Sequence, residues 1–378
     1  MNTPLIVSLL LRPATAASLS PLDWELAIRQ ARAANLIARL AHVLEGSRQR
    51  DHVPPDAAMH LLAADLVAER QRAMVDWEVR CIREAVPPAV PVVLLKGAAY
   101  TLLGLEAGRG RLFSDVDILV PRERLAEVER ALVEHGWTVA EMDAYDDEYY
   151  RHWMHELPPM RHERRGTHID VHHAILPDTA RVRVDNAALM QRTVPVPGHD
   201  GVLALDALGL LLHSASHLFH EGELDNGLRD LFDLDALARQ ALATPAGLAE
   251  AGRRAASLGL ARPWFYAVRY MTMLLGTPLP AHVHANARPG QPSAAVLRLM
   301  DACYRRALRP PHATCSTAGT AAALLLLYVR SHWLRMPMHL LIPHLARKLW
   351  RRWFEKPTAS VEPGVDGANG AAKTQIPP

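Results

Sequence analysis

Along this chain, apolar positions recur first at helical spacing, then in short alternating or continuous runs, then at helical spacing again. The opening stretch "LIVSLLL" is apolar but has no basic residue before it and Arg12 after it, so it is read as the start of a buried helix rather than a leader. In "SPLDWELAIRQARAANLIARLAHVL", Ser20 precedes Pro21 as an N-cap before a proline at the first helical position. Leu22, Leu26, Ile37, Leu40 and Leu44 then recur at helical spacing. Pro54-Pro55 opens a further long helix to about Ala85.

From Pro91 the period changes. "PVVLL" is a continuous apolar run suited to a buried strand, and "GAAYTLLGL" after it reads as a helix. "SDVDILV" alternates as a strand, "PRERLAEVERALVEHG" is an amphipathic helix closed by Gly136, and "WTVAEM" and "THIDVHH" are further strands. Beyond Pro195-Val-Pro197-Gly198 the helical period returns, to about residue 355. The pattern predicts an α+β fold: residues 1–90 as an N-terminal helical segment, 91–198 as a small mixed β-sheet core, 199–355 as a C-terminal helical domain. Residues 356–378, rich in Pro, Gly and Ala with almost no large apolar side chains, are expected to be a disordered tail.

Composition narrows the classes. With 378 residues, 49% hydrophobic and 22% charged, the chain has ample material for a core. A net charge of +2 gives no global attraction to nucleic acid, so any contact with a polyanion is local. The three scattered cysteines form no CxxC pair, which argues against a disulfide framework and points to a reducing, cytoplasmic setting. The apolar run "TAAALLLLYV" stops at Arg330, short of the ~20 residues of a transmembrane helix. "LARKLWRRWFEK" (345–356) combines five cations with three aromatics. Such a segment either docks its aromatics on the body, grips nucleic acid, or lies on an anionic membrane surface.

The candidate chemistry is concentrated in the middle. Lys96 is the first lysine in the chain and Lys348 the next; arginine carries the positive charge between them. Asp115 and Asp117 are two apart in a strand, so both side chains leave one face. Two such carboxylates repel unless a cation sits between them, and hard oxygen donors suit Mg²⁺ or Mn²⁺. Asp170 in "HIDVHH" adds a third carboxylate if its strand neighbours the first. Three carboxylates on adjacent strands suit two-metal phosphoryl or nucleotidyl transfer, Asp170 being the candidate general base. Gly97 allows a phosphate close approach to the backbone, Lys96 adds a compact charge, and Arg111 is a second candidate phosphate contact. His172, on the face of Asp170, is a neighbour of the cation site, a contact to the acceptor, or a satisfied strand-end residue, while His173 points away and packs. His213, His217 and His220 stand at i, i+4 and i+7, which is open to zinc and a histidine-based hydrolase reading, or to a helix packed on the catalytic core with one histidine facing the nucleotide.

The motifs "LLKGAAY", "RLFSDVDILV", "HELPPM" and "THIDVHHAIL", with a looser match in "HSASHLFHEGELDNGLRDLFDLDAL", resemble the DNA polymerase β-like nucleotidyltransferase superfamily. In particular they resemble the family described as uncharacterised nucleotidyltransferases, over most of residues 20–345. The resemblance implies a mixed sheet with metal-binding Asp115 and Asp117 and a third aspartate, Asp170. It also implies transfer of a nucleoside monophosphate from an NTP, taken as ATP, to an unidentified hydroxyl or phosphate acceptor, with release of pyrophosphate. The superfamily usually places Gly-Ser or Gly-Gly after its first strand; here Gly97-Ala98 lacks the hydroxyl, a Lys-Gly form common in the subfamily. Arg229-Asp230 resembles the family's helical Arg-Asp pair and reads equally as a helix-anchoring ion pair. The alternative is a catalytically degenerate nucleotidyltransferase fold serving as a binding or scaffold module, membrane-peripheral through residues 347–356.

Overall fold

Ser20 starts the first long helix as its sequence requires. In the computed structural model, which describes residues 3–139, 154–338 and 341–342, the Asp23 N–H donates to Ser20 Oγ while the Asp23 carboxylate takes the Ser20 N–H, both at 3.2 Å. This capping box opens α2 (Pro21–Ala33), behind α1 (Leu5–Leu11), whose Ile6, Val7 and Leu9 are buried. The expected run through Leu44 is broken: Asn35 takes φ +56°, and α3 (Ile37–Gly46) starts afresh. The buried face of α2 is Trp24, Ala27, Ile28 and Ala31, whereas Leu22 is 76% exposed. Burying Trp24 removes more apolar surface than burying Leu22, so the helix rotates to favour it. α4 (Pro55–Ala85) spans 31 residues from the Pro54-Pro55 start.

Among the described residues the sheet has seven strands, in the order β3-β4-β5-β2-β1-β7-β6. They are β1 (Val92–Leu94), β2 (Asp115–Leu119), β3 (Trp137–Val139), β4 (Met160–His162), β5 (His168–His172), β6 (Thr193–Pro195) and β7 (Val202–Leu205). β1 pairs antiparallel with β2 and parallel with β7, while β2 pairs parallel with β5. β1 is buried at all three residues, as a central strand covered on both faces must be. β4, β6 and β7 had no counterpart in the hydrophobic pattern, and β7 carries the sheet on to Leu205. Between the strands lie α5 (Lys96–Leu102), α6 (Leu125–Glu134) and α7 (Asn186–Met190).

The remaining described chain is helical: α8 (Ala207–His220), α9 (Gly227–Ala241), α10 (Pro245–Ser257), α11 (Ala261–Tyr270), α12 (Ala281–Ala287), α13 (Ala294–Ala307) and α14 (Thr320–Arg335). α8 is buried almost all round, as its sequence "ALGLLLHSASHLFH" demands; it packs on α9, α11 and β7. One hydrophobic cluster runs from Ile6 through the sheet to Leu327. Phe219, Tyr266, Tyr270 and Tyr304 close its far end as a mutual aromatic cluster, with centroids 5.0–5.9 Å apart. Among the described residues, no helix is long and apolar enough to cross a membrane. The basic aromatic segment 347–356 and the tail 356–378 lie outside the described residues.

Candidate active site

Parallel pairing of β2 with β5 sets Asp117 directly opposite Asp170 and Asp115 opposite His168. Since side chains two apart share a face, Asp115, Asp117 and Asp170 emerge together, with carboxylate oxygens all within 4.8 Å of one another. Val116 and Ile118 leave the other face and are buried. The charge is expensive there. Burial, with Asp117, Glu156 and Asp115 nearby, pushes the Asp170 carboxyl up to about 7. Burial and Asp117 likewise raise Asp115. Burial works against Asp117 as well, yet Lys96 and His172 outweigh it and hold that carboxyl well below its ordinary range. Three oxygen donors with too little positive charge among them fit a hard divalent cation.

Lys96 Nζ donates to Asp117 Oδ1 at 2.7 Å. Burial opposes the ammonium, but Asp117, Glu156 and Asp115 more than compensate, so it stays charged. β1 delivers it: Leu95 N–H donates to the Asp117 carbonyl at 3.0 Å, and Lys96 then turns with φ +45° into α5. That left-handed conformation is uncommon for a residue with a side chain, and costs on the order of 1–3 kcal/mol. Gly97 leaves the room the next step needs, since a Cβ there would run into the Arg111 guanidinium and meet the Phe113 ring at 3.1 Å. We therefore expect Gly97→Ala to lower stability by about 1–3 kcal/mol, the usual cost of overpacking, measured as a shift of the urea midpoint.

Arg111, expected as a phosphate contact, is committed on one side. Its Nε donates to Asp233 Oδ2 at 2.7 Å, and it lies over the Tyr100 and Phe113 rings at 5.6 and 5.8 Å. Arg39 Nη2 grips the other Asp233 oxygen at 2.7 Å and the Ala107 carbonyl. Arg229 donates to Asp230 through Nε and Nη2, at 3.0 and 2.8 Å. Arg111, Arg229, Asp230 and Asp233 wall a cleft of about 200 Å³. Lys96, Gly97, Asp115 and Asp117 line it from the sheet, and Ser214, His217, Arg229 and Asp230 from α8 and α9. Asp233, Arg39 and Ser214 carry no local signal; nothing in the spacing announces a partnership 194 residues apart.

His172 lies beside the carboxylates, with Nε2 at 3.1 Å from Asp117 Oδ1 and Nδ1 at 3.1 Å from Glu156 Oε2. His173 is buried, as its position on the opposite face predicts. His213, His217 and His220 are not gathered around a common point among the described residues. His217 faces the cleft, 4.0 Å from Glu221, while His220 Nδ1 bonds the Ser216 carbonyl at 2.9 Å inside its own helix. Burial drives His220 down to about 4. The unfolded chain, with an ordinary histidine near 6.5, therefore takes up a proton that the folded chain resists, and stability falls as pH drops from 6.5 towards 4. We expect His220→Gln to flatten that decline by about 2.5 kcal/mol at pH 4.5 relative to wild type, measured by urea unfolding at pH 7.5, 5.5 and 4.5.

The α+β fold thus presents clustered carboxylates, a set that could hold a metal ion, beside a Lys-Gly turn at a polar cleft. The sequence profile described as uncharacterised nucleotidyltransferase matches residues 20–276, more than half the chain, and the chain belongs to that family. No curated protein and no solved structure matches it.

Proposed function

We propose that this protein is a Mg²⁺- or Mn²⁺-dependent nucleotidyltransferase with a polymerase-β-like core. It would transfer the nucleoside monophosphate of an NTP, ATP in the first instance, to a hydroxyl or phosphate acceptor. The observation that carries the reading is the trio Asp115, Asp117 and Asp170 beside Lys96, in a chain of this family. These three carboxylates hold the cation. Bound there, the cation supplies charge neutralisation for the phosphates and acidifies the acceptor oxygen.

The chain's own residues do the rest. Lys96 sits at the cleft wall with an ammonium free to turn from Asp117 to a phosphate, and Gly97 keeps the backbone open beside it. The Nη2 edge of Arg111, 3.9 Å from Asp230, and the Arg229 guanidinium add positive charge on the helical side. The acceptor oxygen bonds to the α-phosphorus as the bridging oxygen to the β-phosphorus leaves with pyrophosphate, and Asp170 takes the acceptor's proton. Cys81, Cys303 and Cys315 are free thiols, which supports a cytoplasmic setting. In a non-catalytic reading of the same fold, the basic aromatic segment 347–356 would contact an anionic membrane surface.

A second reading, a non-catalytic binding module, draws on Lys96 itself: its ammonium already supplies Asp117 with a cation. Calorimetric titration of each NTP with and without Mg²⁺, beside Asp115→Asn, separates the two. Mg²⁺-dependent binding in the wild type that is lost in the variant supports the transferase, and no binding by the folded wild type removes it.

A further inference from the structure

One residue away from the carboxylate trio stands a second donor set of different chemistry. The segment 155–157 is laid along the end of β5: Leu157 N–H donates to the Val171 carbonyl and His173 N–H to the His155 carbonyl, both at 2.9 Å, with Glu156 opposite His172. Pro158-Pro159 then interrupts the ladder before β4 resumes it. This pairing gathers His155, Glu156 and His172. Their ligand atoms all lie within 4.8 Å of one another, with His172 Nδ1 at 3.1 Å and His155 Nε2 at 3.9 Å from Glu156 Oε2.

We propose that His155, Glu156 and His172 form a binding site for a divalent transition metal of the zinc class, separate from the carboxylate trio. Three observations carry it. A metal held at about 2.0–2.2 Å by imidazole nitrogen and carboxylate oxygen needs donors roughly 3–4 Å apart, which is the spacing of each histidine from Glu156. The donor set is two imidazoles and one carboxylate, which suits Zn²⁺, Co²⁺ or Fe²⁺, whereas Mg²⁺ prefers oxygen alone. Finally, the second nitrogen of His172 is already tied to Asp117 at 3.1 Å. That is the outer carboxylate that orients a metal-bound imidazole and fixes its tautomer, leaving the Nδ1 lone pair aimed at Glu156. Two lone pairs facing each other at 3.1 Å require a cation or a proton between them, and His155 converging on the same carboxylate gives a metal a third donor that a proton does not use. The side chains of His155 and Glu156 are 15% and 17% exposed, so an ion can reach the site and keep a water position. Through His172 the bound metal would sit one imidazole away from Asp117 and fix the orientation of that carboxylate.

Co²⁺ is the probe, because its visible d–d absorption reports tetrahedral nitrogen and oxygen ligation directly. The full-length protein is stripped with a chelator and titrated with Co²⁺ in excess Mg²⁺, then with Zn²⁺ as competitor. The expected result is one Co²⁺ per chain, displaced by Zn²⁺, with affinity reduced more than about 100-fold in His155→Ala and in the near-isosteric Glu156→Gln. Asp115→Asn and Asp170→Asn should keep the band. No Co²⁺ band in the wild type overturns the proposal. So does a band that survives in folded Glu156→Gln, or one lost as fully in Asp170→Asn, because the ion then sits elsewhere or in the carboxylate trio. No nucleotide enters the assay, so this outcome is independent of the transferase reading.

Discussion

Asp117→Ala should abolish Mg²⁺-dependent nucleotide binding and unsettle the fold at the same time. Asp117 is 4% exposed and is the only described carboxylate bonded to both Lys96 and His172, through one oxygen. Its removal leaves an ammonium and an imidazole facing a space that no longer holds a charge. Breaking a buried pair from one side costs about 3–5 kcal/mol, most of it the penalty on the partner left behind. Asp117→Asn should separate the two effects. The amide oxygen still accepts the Lys96 proton, so the loss of stability shrinks to about 1–2 kcal/mol. The hard anionic donor is gone, so nucleotide affinity with Mg²⁺ should still fall by more than about 100-fold. Urea midpoints followed by tryptophan fluorescence, beside calorimetry on the same samples, give both numbers. An Asn variant that binds nucleotide as wild type does would show that Asp117 is a structural partner of Lys96 and nothing more.

The second large effect is expected far from any cation. Asp233 in α9 ties Arg39 of α3 to Arg111 of the loop before β2, with the three side chains 2%, 8% and 6% exposed. Asp233→Ala strips two guanidiniums of their nearest carboxylate at once, leaving Arg39 the Ala107 carbonyl and Arg111 only Asp230 at 3.9 Å, and neither can shed its proton. The expected loss is at least about 3–5 kcal/mol, larger than for Arg39→Ala, which leaves Asp233 paired with Arg111. Arg111, released from Asp233, is also free to move over Gly97 into the cleft, so the variant should lose nucleotide binding as well as stability. The exposed pair Arg122 and Asp178 is the control: Asp178→Ala should shift the midpoint by no more than about 1 kcal/mol. Equal shifts for Asp233→Ala and Asp178→Ala would refute the clamp.

What could be read in advance follows from how far each interaction reaches along the chain. The carboxylate pair Asp115 and Asp117 was legible because strand alternation is a period of two, visible within five residues. The start of α2 was legible because its cap is complete within Ser20–Asp23. β4, β6 and β7 were not, since three or four residues beside prolines and glycines are too few to display a period. Their existence is decided by the neighbours that need hydrogen-bond partners. The face of α2 was misjudged at Leu22, because an apolar side chain in the first turn does not reveal which way the core lies. Neighbourhood on the sheet had the same limit. Asp170 joined the pair conditionally, on whether its strand lies beside β2, and only pairing across 53 residues answers that. Arg111 illustrates the converse: its type and position suggested a phosphate ligand, while its strongest partner comes from a helix 122 residues away.

The β2–β5 register also constrains how this gene can change. Along β2, Asp115 and Asp117 carry the chemistry while Val116 and Ile118 between and beside them carry the hydrophobic packing, so the segment has a parity. A single-codon insertion or deletion between Asp115 and Leu119 exchanges the two sets, turning carboxylates into the core and Val116 and Ile118 towards the cleft. Core and site would be lost in one event, with no intermediate that keeps either. Within β2, substitution is therefore the only route open to the sequence.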